Sequence, residues 1–161
     1  MNEQRPQVPP PKLDWAWHVF SELSSDQLYQ ILHLRQQSFI IEQQCAYDDI
    51  DNHDQAAFHL CGTDSANHAL RAYLRVLPPG KRFEEPSIGR VVTCADSRGC
   101  GFGHELMRQS IDFCRDRFAG MAVRVSAQIH LQPFYSAYGF VTDTPEHPID
   151  GIPHVEMLRR G

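Results

Sequence analysis

The chain has 161 residues, a length typical of one domain with its own hydrophobic core. Charged residues make up 22% of it and the net charge is −5, so no basic surface for nucleic-acid phosphates is expected. No apolar run reaches the roughly 18 residues of a membrane span, and the first residues lack the apolar stretch of a secretory signal. We therefore expect a cytoplasmic protein that binds neither nucleic acids nor membranes.

The cysteine and histidine patterns indicate neither a disulfide framework nor a metal site. The five cysteines are odd in number and form no Cys-x-x-Cys pair, which is typical of reduced thiols. The pair His59 and Cys61 is too small a set for a metal ion. His154-x-Glu156 lacks the downstream Pro-Cys-x-x-Cys of the zinc deaminases.

The first predicted elements follow a proline-rich tail. Residues 1–12 cannot bury apolar area, so we expect a flexible tail before a single domain over 13–161. Aromatic residues at 15–20 predict the first strand. Ser24 and Gln27 form a capping box, so a helix is predicted from Ser25. Its apolar stripe comprises Leu28, Ile31, Leu32, Arg35, Phe39 and Glu42.

The rest of the chain is predicted to form three strands, a helix, a strand, a helix and two strands, so few strands alternate cleanly with helices, and this predicts a mixed α/β domain. A long helix is predicted to end before Gly120, and a short helix to begin near Pro133 and end at Gly139. Further strands are predicted at 56–62, 69–77, 87–93, 123–127, 140–141 and 154–158, and the long helix at 102–118.

The segment from Arg98 to Gly103 has the most informative pattern, because it joins a predicted strand to a predicted helix. The first N–H groups of a helix have no intrahelical partner and carry partial positive charge. Glycines allow these groups to converge on one anion, so the segment predicts a site for a phosphorylated cofactor. An ordinary glycine-rich turn before a helix is the alternative interpretation.

Spacing excludes two common phosphate sites. The Gly-x-Gly-x-x-Gly pattern of dinucleotide sites fails, because the position of its third glycine is His104 or Leu106. The Gly-Lys-Ser/Thr of a P-loop is absent. What remains is Arg-x-x-Gly-x-Gly from Arg98, Gly101 and Gly103, and this resembles the pyrophosphate loop of the GNAT superfamily of acetyl-CoA-dependent N-acyltransferases.

A second motif strengthens this resemblance. Tyr135, Gly139 and Phe140 match the Tyr-x-x-x-Gly-Phe of a short GNAT helix, one helix and one strand after the loop. Three further segments resemble the ElaA branch of small GNAT proteins: Phe39–Asp51, Ile88–Val91 and Gly151–His154. The resemblance implies a single domain with a twisted, mostly antiparallel mixed sheet of about six to seven strands and helices on both faces.

The resemblance also implies acetyl-CoA as cofactor and direct transfer to an amine in a ternary complex. In the family two central strands splay apart, here those near 88–93 and 123–128, and expose backbone groups to the cofactor. Tyr135 is implied as the general acid beside the cofactor sulfur. The implied cofactor-binding residues are Val91, Val92, Thr93, Arg98, Gly99, Cys100, Gly101, Phe102, Gly103, His104 and Tyr135.

An amine of pKa near 10.4 must lose a proton before it attacks, so a base is needed. Glu42 is the first candidate, because a charge on an apolar stripe is costly without a role or a partner. His154 is a second candidate base, or else a core histidine. The candidate substrate-binding residues are Arg35, Glu42, Asp48 and Asp51. The alternatives are that Arg35 is a structural anchor and that the aspartates belong to a solvated acidic loop.

Two other functions remain open at this stage. The first is a catalytically silent acyl-CoA sensor, and the second is a generic nucleotide or phosphate module, which the failed motif spacings disfavour. The sequence identifies neither the amine acceptor nor the acyl chain. A homodimer is possible by similarity to the family, but no interface can be read from the residues.

Overall fold

The computed structural model describes residues 9–161. The predicted tail therefore lies mostly outside the described residues. The first strand, β1 (Leu13–Val19), begins two residues earlier than predicted and is followed by a short 3-10 turn. No helix over residues 9–161 is long and apolar enough to cross a membrane.

One eight-stranded sheet organises the molecule. Its path runs β1-β2-β3-β4-β5-β8-β6, with β7 paired to β8, and every pair except β4 with β5 is antiparallel. This confirms the predicted mixed, mostly antiparallel sheet. The strands after β1 are β2 (Phe58–Asp64), β3 (Leu70–Leu77), β4 (Ser87–Thr93), β5 (Val123–Gln128), β6 (Val141–Thr142), β7 (His147–Ile149) and β8 (Ile152–Arg159).

Strand β7 is the strand that the sequence analysis missed. It forms a two-residue hairpin with β8 through Asp150 and Gly151, both at positive φ (49° and 79°). Asp-Gly is a strong signal for such a turn, but Pro148 and Pro153 hid the strands on either side of it. Both prolines are tolerated because they face each other in the β7–β8 pair, and Pro153 precedes the part of β8 that pairs with β5.

Helices cover both faces of the sheet, as predicted. The helices are α1 (Ser25–Arg35), α2 (Phe102–Arg117) and α3 (Gln132–Ser136). Successive residues of β3 point to opposite sides, so Tyr73 packs with Ile31 of α1 while Leu74 packs with Leu106 of α2. The sheet therefore separates two hydrophobic clusters. All five cysteines are free thiols.

The predicted capping box starts α1. The Ser24 hydroxyl accepts a hydrogen bond from the Gln27 N–H at 3.1 Å, and the Gln27 side chain accepts one from the Ser24 N–H at 2.9 Å. After Arg35 the backbone widens into a π-helix over Gln36–Glu42. The wider winding rotates the side chains, so the expectation that Glu42 shares the apolar stripe is wrong, and its side chain is 48% exposed.

Buried ion pairs fix the loop after the π-helix. Arg35 is fully buried, and it donates to Asp49 at 2.9 Å and to Asp54 at 2.8 Å. Asp54 also accepts from Arg75 at 2.7 Å, and Arg75 is 1% exposed. Buried charges are tolerated when each has a partner and further hydrogen bonds. Arg35 therefore anchors this loop to the sheet.

Two more residues complete this buried network. Asp51 binds the Arg75 guanidinium and lies 3.2 Å from Arg90, which pairs with Asp49 at 2.7 Å. Burial alone would raise the pKa of Asp51, but the hydrogen bonds and charges of Arg75 and Arg90 lower it well below its usual value. Three arginine charges thus offset three aspartate charges, so these loop carboxylates are not free to attract a cationic amine.

The network should dominate the stability of this end of the sheet. Arg35→Met is expected to lower the free energy of unfolding by about 3–5 kcal/mol at pH 7, because Asp49 and Asp54 stay buried without their partner. Urea unfolding of the two proteins measures the difference.

A surface pair provides the control for this variant. Arg108 pairs with Glu105 and Asp112 on the exposed side of α2, so Arg108→Met should change stability little. The pKa of Asp54 is lowered in the folded wild type by Arg35 despite burial, so that stabilisation is present above 3.8, the usual pKa, and is lost as the pH falls. The difference between wild type and Arg35→Met should therefore persist at pH values above 3.8 and shrink as the pH falls below that value. Equal destabilisation by both variants would contradict the role of the network.

Candidate functional site

The site lies where the two parallel strands separate. Pairing of β4 with β5 is limited to Ser87 with Arg124 and Ile88 with Val125. The remaining five residues of β4 and three residues of β5 then diverge, which is the splay that the resemblance implied. A pocket of about 300 Å³ occupies the gap and is lined by residues of both strands.

A bulge in β4 disturbs the ladder beside the gap. Tyr73 faces Val92 and Arg75 faces Gly89, so Arg90 and Val91 together oppose the one residue between them on β3. Arg90 has φ 55°, a left-handed conformation that is costly for a non-glycine residue. Bulges leave backbone groups unpaired and re-aim side chains. Here the bulge directs Arg90 into the buried network.

The glycine loop joins β4 to α2 as predicted. Gly99 and Gly101 have φ of 79° and 82°, a conformation that favours glycine. The first intrahelical bond runs from the Glu105 N–H to the Gly101 carbonyl at 3.1 Å, so the N–H groups before Glu105 have no intrahelical acceptor. A Cβ atom added at Gly103 would meet only Phe134, at 3.9 Å. The loop therefore has the donors and the open space that a diphosphate needs.

Two side chains from other parts of the chain, those of Glu42 and Tyr138, bind residues at the two ends of this loop. Arg98 and Glu42 form a two-pronged ion pair with both distances at 2.5 Å. The hydrogen bond from Arg98 lowers the pKa of the Glu42 carboxyl. His104, in the first turn of α2, binds the Tyr138 hydroxyl through Nδ1. Glu42 thus lies on the Arg98 side of the loop and does not line the pocket between the strands.

Tyr135 reaches the pocket from α3. Its side chain lines the gap between β4 and β5, yet the residue is only 6% exposed. Burial raises the pKa of its hydroxyl to about 12. Tyr135 therefore stays protonated at neutral pH and can donate a hydrogen bond or a proton.

His154 lines the same pocket from β8. It lies opposite Gln128 in the β5–β8 ladder, and its Nδ1 is 2.7 Å from the Ile152 carbonyl oxygen. A carbonyl only accepts, so Nδ1 carries the hydrogen and Nε2 of the neutral ring carries the lone pair. The histidine is therefore oriented as a proton acceptor.

The other predicted substrate-binding residues are not on the pocket wall. Arg35 and Asp51 belong to the buried network, and Asp48 is exposed on the loop outside it.

Several of the predicted cofactor-binding residues do line the pocket, namely Val91, Val92, Thr93 and Arg98. Cys100 is half-buried within the glycine loop. No cluster of three metal-binding side chains occurs over residues 9–161.

The sequence analysis missed several pocket residues because their position depends on strand register. Ser126 and Gln128 share one face of β5, opposite Glu156 and His154 of β8. Ser126 donates to the buried Glu156 carboxylate at 2.8 Å. These two strands are about 30 residues apart in sequence, and no local sequence pattern indicates the register in which they pair. The remaining missed residues of the pocket wall include Cys45, Tyr47, Arg82 and Phe83.

Comparison with known proteins agrees with this geometry. The model of the acetyltransferase (GNAT) domain matches residues 35–160. Protein ElaA of Escherichia coli is 38% identical over 149 residues, covering 91% of this chain and 96% of ElaA. Its crystal structure superposes with a TM-score of 0.85 over 92% of this chain and 99% of that one.

A second solved structure is similarly close. The crystal structure of an acyl-CoA N-acyltransferase from Pseudomonas aeruginosa has a TM-score of 0.86 and 38% identity, covering 91% of this chain and 99% of that chain. Family match, identity and fold all agree with the glycine loop and the splayed strands. The chain belongs to the GNAT acetyltransferase family and resembles its ElaA members.

Proposed function

We propose that this acyltransferase moves an acetyl group from acetyl-CoA to an amine by direct attack in a ternary complex. The observation that carries the proposal is the pocket between the diverging ends of β4 and β5. It brings Tyr135 and His154 together with the strand that leads into the glycine loop. Nothing in residues 9–161 favours the alternative of a silent sensor.

The loop and strand β4 fit the cofactor. The N–H groups of Phe102, Gly103 and His104 lie before the first bonded turn of α2, where they can donate to a diphosphate. Val91 to Thr93 run along the gap and do not pair with β5, so their backbone groups can bind the pantetheine amides. When bound, acetyl-CoA supplies an activated acyl carbon and a thiolate leaving group.

His154 is our candidate for the base, ahead of Glu42. Its Nε2 lone pair is fixed by the hydrogen bond at Nδ1, and its ring lines the pocket. It would take the proton from the amine before attack, directly or through one water. Glu42 is held by Arg98 on the other side of the loop, and the lowered pKa of its carboxyl makes it a weaker base.

Tyr135 is the proposed general acid. Its raised pKa keeps the hydroxyl protonated at neutral pH, so the proton is available when the thiolate departs. The same buried surroundings disfavour charge on the sulfur and thereby raise its affinity for a proton. Burial therefore shifts both pKa values upward, and proton transfer from the phenol to the thiolate depends on the difference between them.

Gly103→Val tests the cofactor site. A Cβ added at Gly103 meets only Phe134, at 3.9 Å, so the fold should persist, but the valine side chain should block the approach of the diphosphate. We expect the stabilisation by acetyl-CoA in a thermal-shift measurement to be lost, with NAD and ATP as ligand controls. Gln109→Val puts the same residue elsewhere in α2 and should leave the shift intact. Undiminished acetyl-CoA binding by Gly103→Val would remove the loop from the cofactor site.

Tyr135→Phe tests the acid. The change removes one hydroxyl from a buried ring, so packing and cofactor affinity should persist while kcat falls by about 100-fold or more. Steady-state rates and acetyl-CoA titration measure the two effects. Tyr29→Phe, on the exposed side of α1, is the control. An unchanged kcat would exclude Tyr135 from the mechanism.

His154→Gln and Glu42→Gln together test the base. With an amine substrate, His154→Gln should lower kcat near neutral pH and regain part of it at high pH, where the amine loses its proton unaided. Glu42→Gln should change kcat only a few-fold, since that carboxylate is paired with Arg98. The pH–rate profiles of both variants decide the assignment, and the opposite result would make Glu42 the base.

A further inference from the structure

Arg82 differs from the other arginines of the pocket. Arg75 and Arg90 are paired with aspartates of the buried network, and Arg98 is paired with Glu42. Over residues 9–161, no carboxylate lies within 4.0 Å of the Arg82 guanidinium. Its hydrogen bond to a side chain is a long one of 3.5 Å, from Nη2 to the Ser126 hydroxyl. A guanidinium has five N–H donors, so Arg82 keeps donors for an anionic ligand.

The β3–β4 loop holds Arg82 in place. The loop closes with a hydrogen bond of 2.7 Å from the Gly80 N–H to the Phe83 carbonyl. The Arg82 guanidinium lies 5.1 Å from the centre of the Phe83 ring, and Arg124 lies 5.3 Å from it. Arg124 is itself neutralised by Glu85 and Asp143. Arg82 is therefore positioned without a salt-bridge partner. Burial lowers its pKa, although Glu156 and Asp51 are close enough for their charges to act against this effect.

Glu156 does not satisfy Arg82. The Ser126 hydroxyl gives its hydrogen to the Glu156 carboxylate at 2.8 Å, so its oxygen is left to accept from Arg82. Glu156 thus acts on Arg82 indirectly, because it orients the Ser126 hydroxyl that Arg82 contacts. The remaining edge of the guanidinium is open to a planar anion such as a carboxylate, which guanidinium groups bind with two parallel hydrogen bonds.

The strand register places Ser126, the residue that Arg82 contacts, near the proposed base. Ser126 precedes Gln128 by two residues on the same face of β5, a separation of about 7 Å. Gln128 lies directly opposite His154. An α-amino acid is of the same order of length, since about 2.5 Å separates its nitrogen from its carboxyl carbon and a hydrogen bond of about 2.8 Å extends from each end, so one such ligand could extend from the Ser126 position to the Gln128 position of the pocket.

We propose that the amine acceptor is a free amino acid whose carboxylate binds Arg82 while its amine faces His154. The inference rests on the proposed acetyl transfer and adds the class of acceptor to it. Asp150, with an exposed carboxylate on the pocket wall, complements the ammonium group of the incoming amino acid. Polyamines and lysine side chains offer no carboxylate to Arg82.

Matched substrates test the class. The wild-type protein with acetyl-CoA is assayed against the common amino acids and the corresponding amino acid amides, which keep the amine and lose the carboxylate. We expect kcat/KM to be at least 10-fold higher for the best amino acid than for its amide. Equal or better transfer to the amides, or to spermidine, would overturn the inference while leaving acetyl transfer itself established.

Arg82→Gln assigns the effect to this residue. It should lower the ratio of kcat/KM between acid and amide by about 10- to 100-fold, mainly through a higher KM for the acid, because one charged hydrogen-bonding partner is lost. Lys81→Gln removes a neighbouring charge from the same loop and should keep the ratio. An equal loss of ratio in both variants, or none in Arg82→Gln, would contradict the assignment.

A binding measurement keeps the two proposals separable. Thermal shifts of the protein with CoA are recorded with N-acetyl amino acids and with their amides as probes. A shift with the acids alone, lost in Arg82→Gln, supports the site even if turnover is absent, in which case the proposed transfer fails and the carboxylate site stands. The absence of a shift with the acids, or an equal shift with the amides, overturns the carboxylate site.

Discussion

The buried arginine–aspartate network is the constraint on which the functional end of the sheet depends. Burying charge is costly, and the cost is offset only when each group meets an opposite charge and fills its hydrogen bonds. Arg35 brings the loop after α1 against the sheet, while Arg90 comes from the bulge in β4. Arg90 keeps its left-handed φ of 55° because Asp49 and Asp51 hold its side chain. The bulge and the loop are therefore stabilised by the same ion pairs.

Strand topology explains why two motifs distant in sequence meet at one pocket. β4 and β5 are parallel, so their carboxyl ends lie at the same edge of the sheet. The glycine loop and α2 follow β4, whereas α3 with Tyr135 follows β5. Because the two strands pair only at their first residues, their last residues leave a gap between the two helices' starting points. Strand β8, antiparallel to β5, then adds His154 to that gap.

Local signals in the sequence predicted the parts of this arrangement that depend on neighbouring residues. The capping box at Ser24, the positive-φ glycines Gly99 and Gly101, and the alternating burial of β5 each follow from contacts within a few residues. The pairing of Glu42 with Arg98 and the network around Arg35 depend on partners 14 to 56 residues away. Periodicity assumed an ideal α-helix and therefore placed Glu42 on a buried face.

Burial differs among the groups of the proposed reaction. Tyr135 is 6% exposed, and burial raises its pKa, so the acid stays protonated. His154 is half-buried, whereas Arg82 and Asp150 are exposed at the rim of the pocket. A carboxylate at Arg82 would therefore gain mainly from two parallel hydrogen bonds to the guanidinium. The site would favour an acceptor that arrives with its own anion for Arg82 over one that arrives as a bare cation.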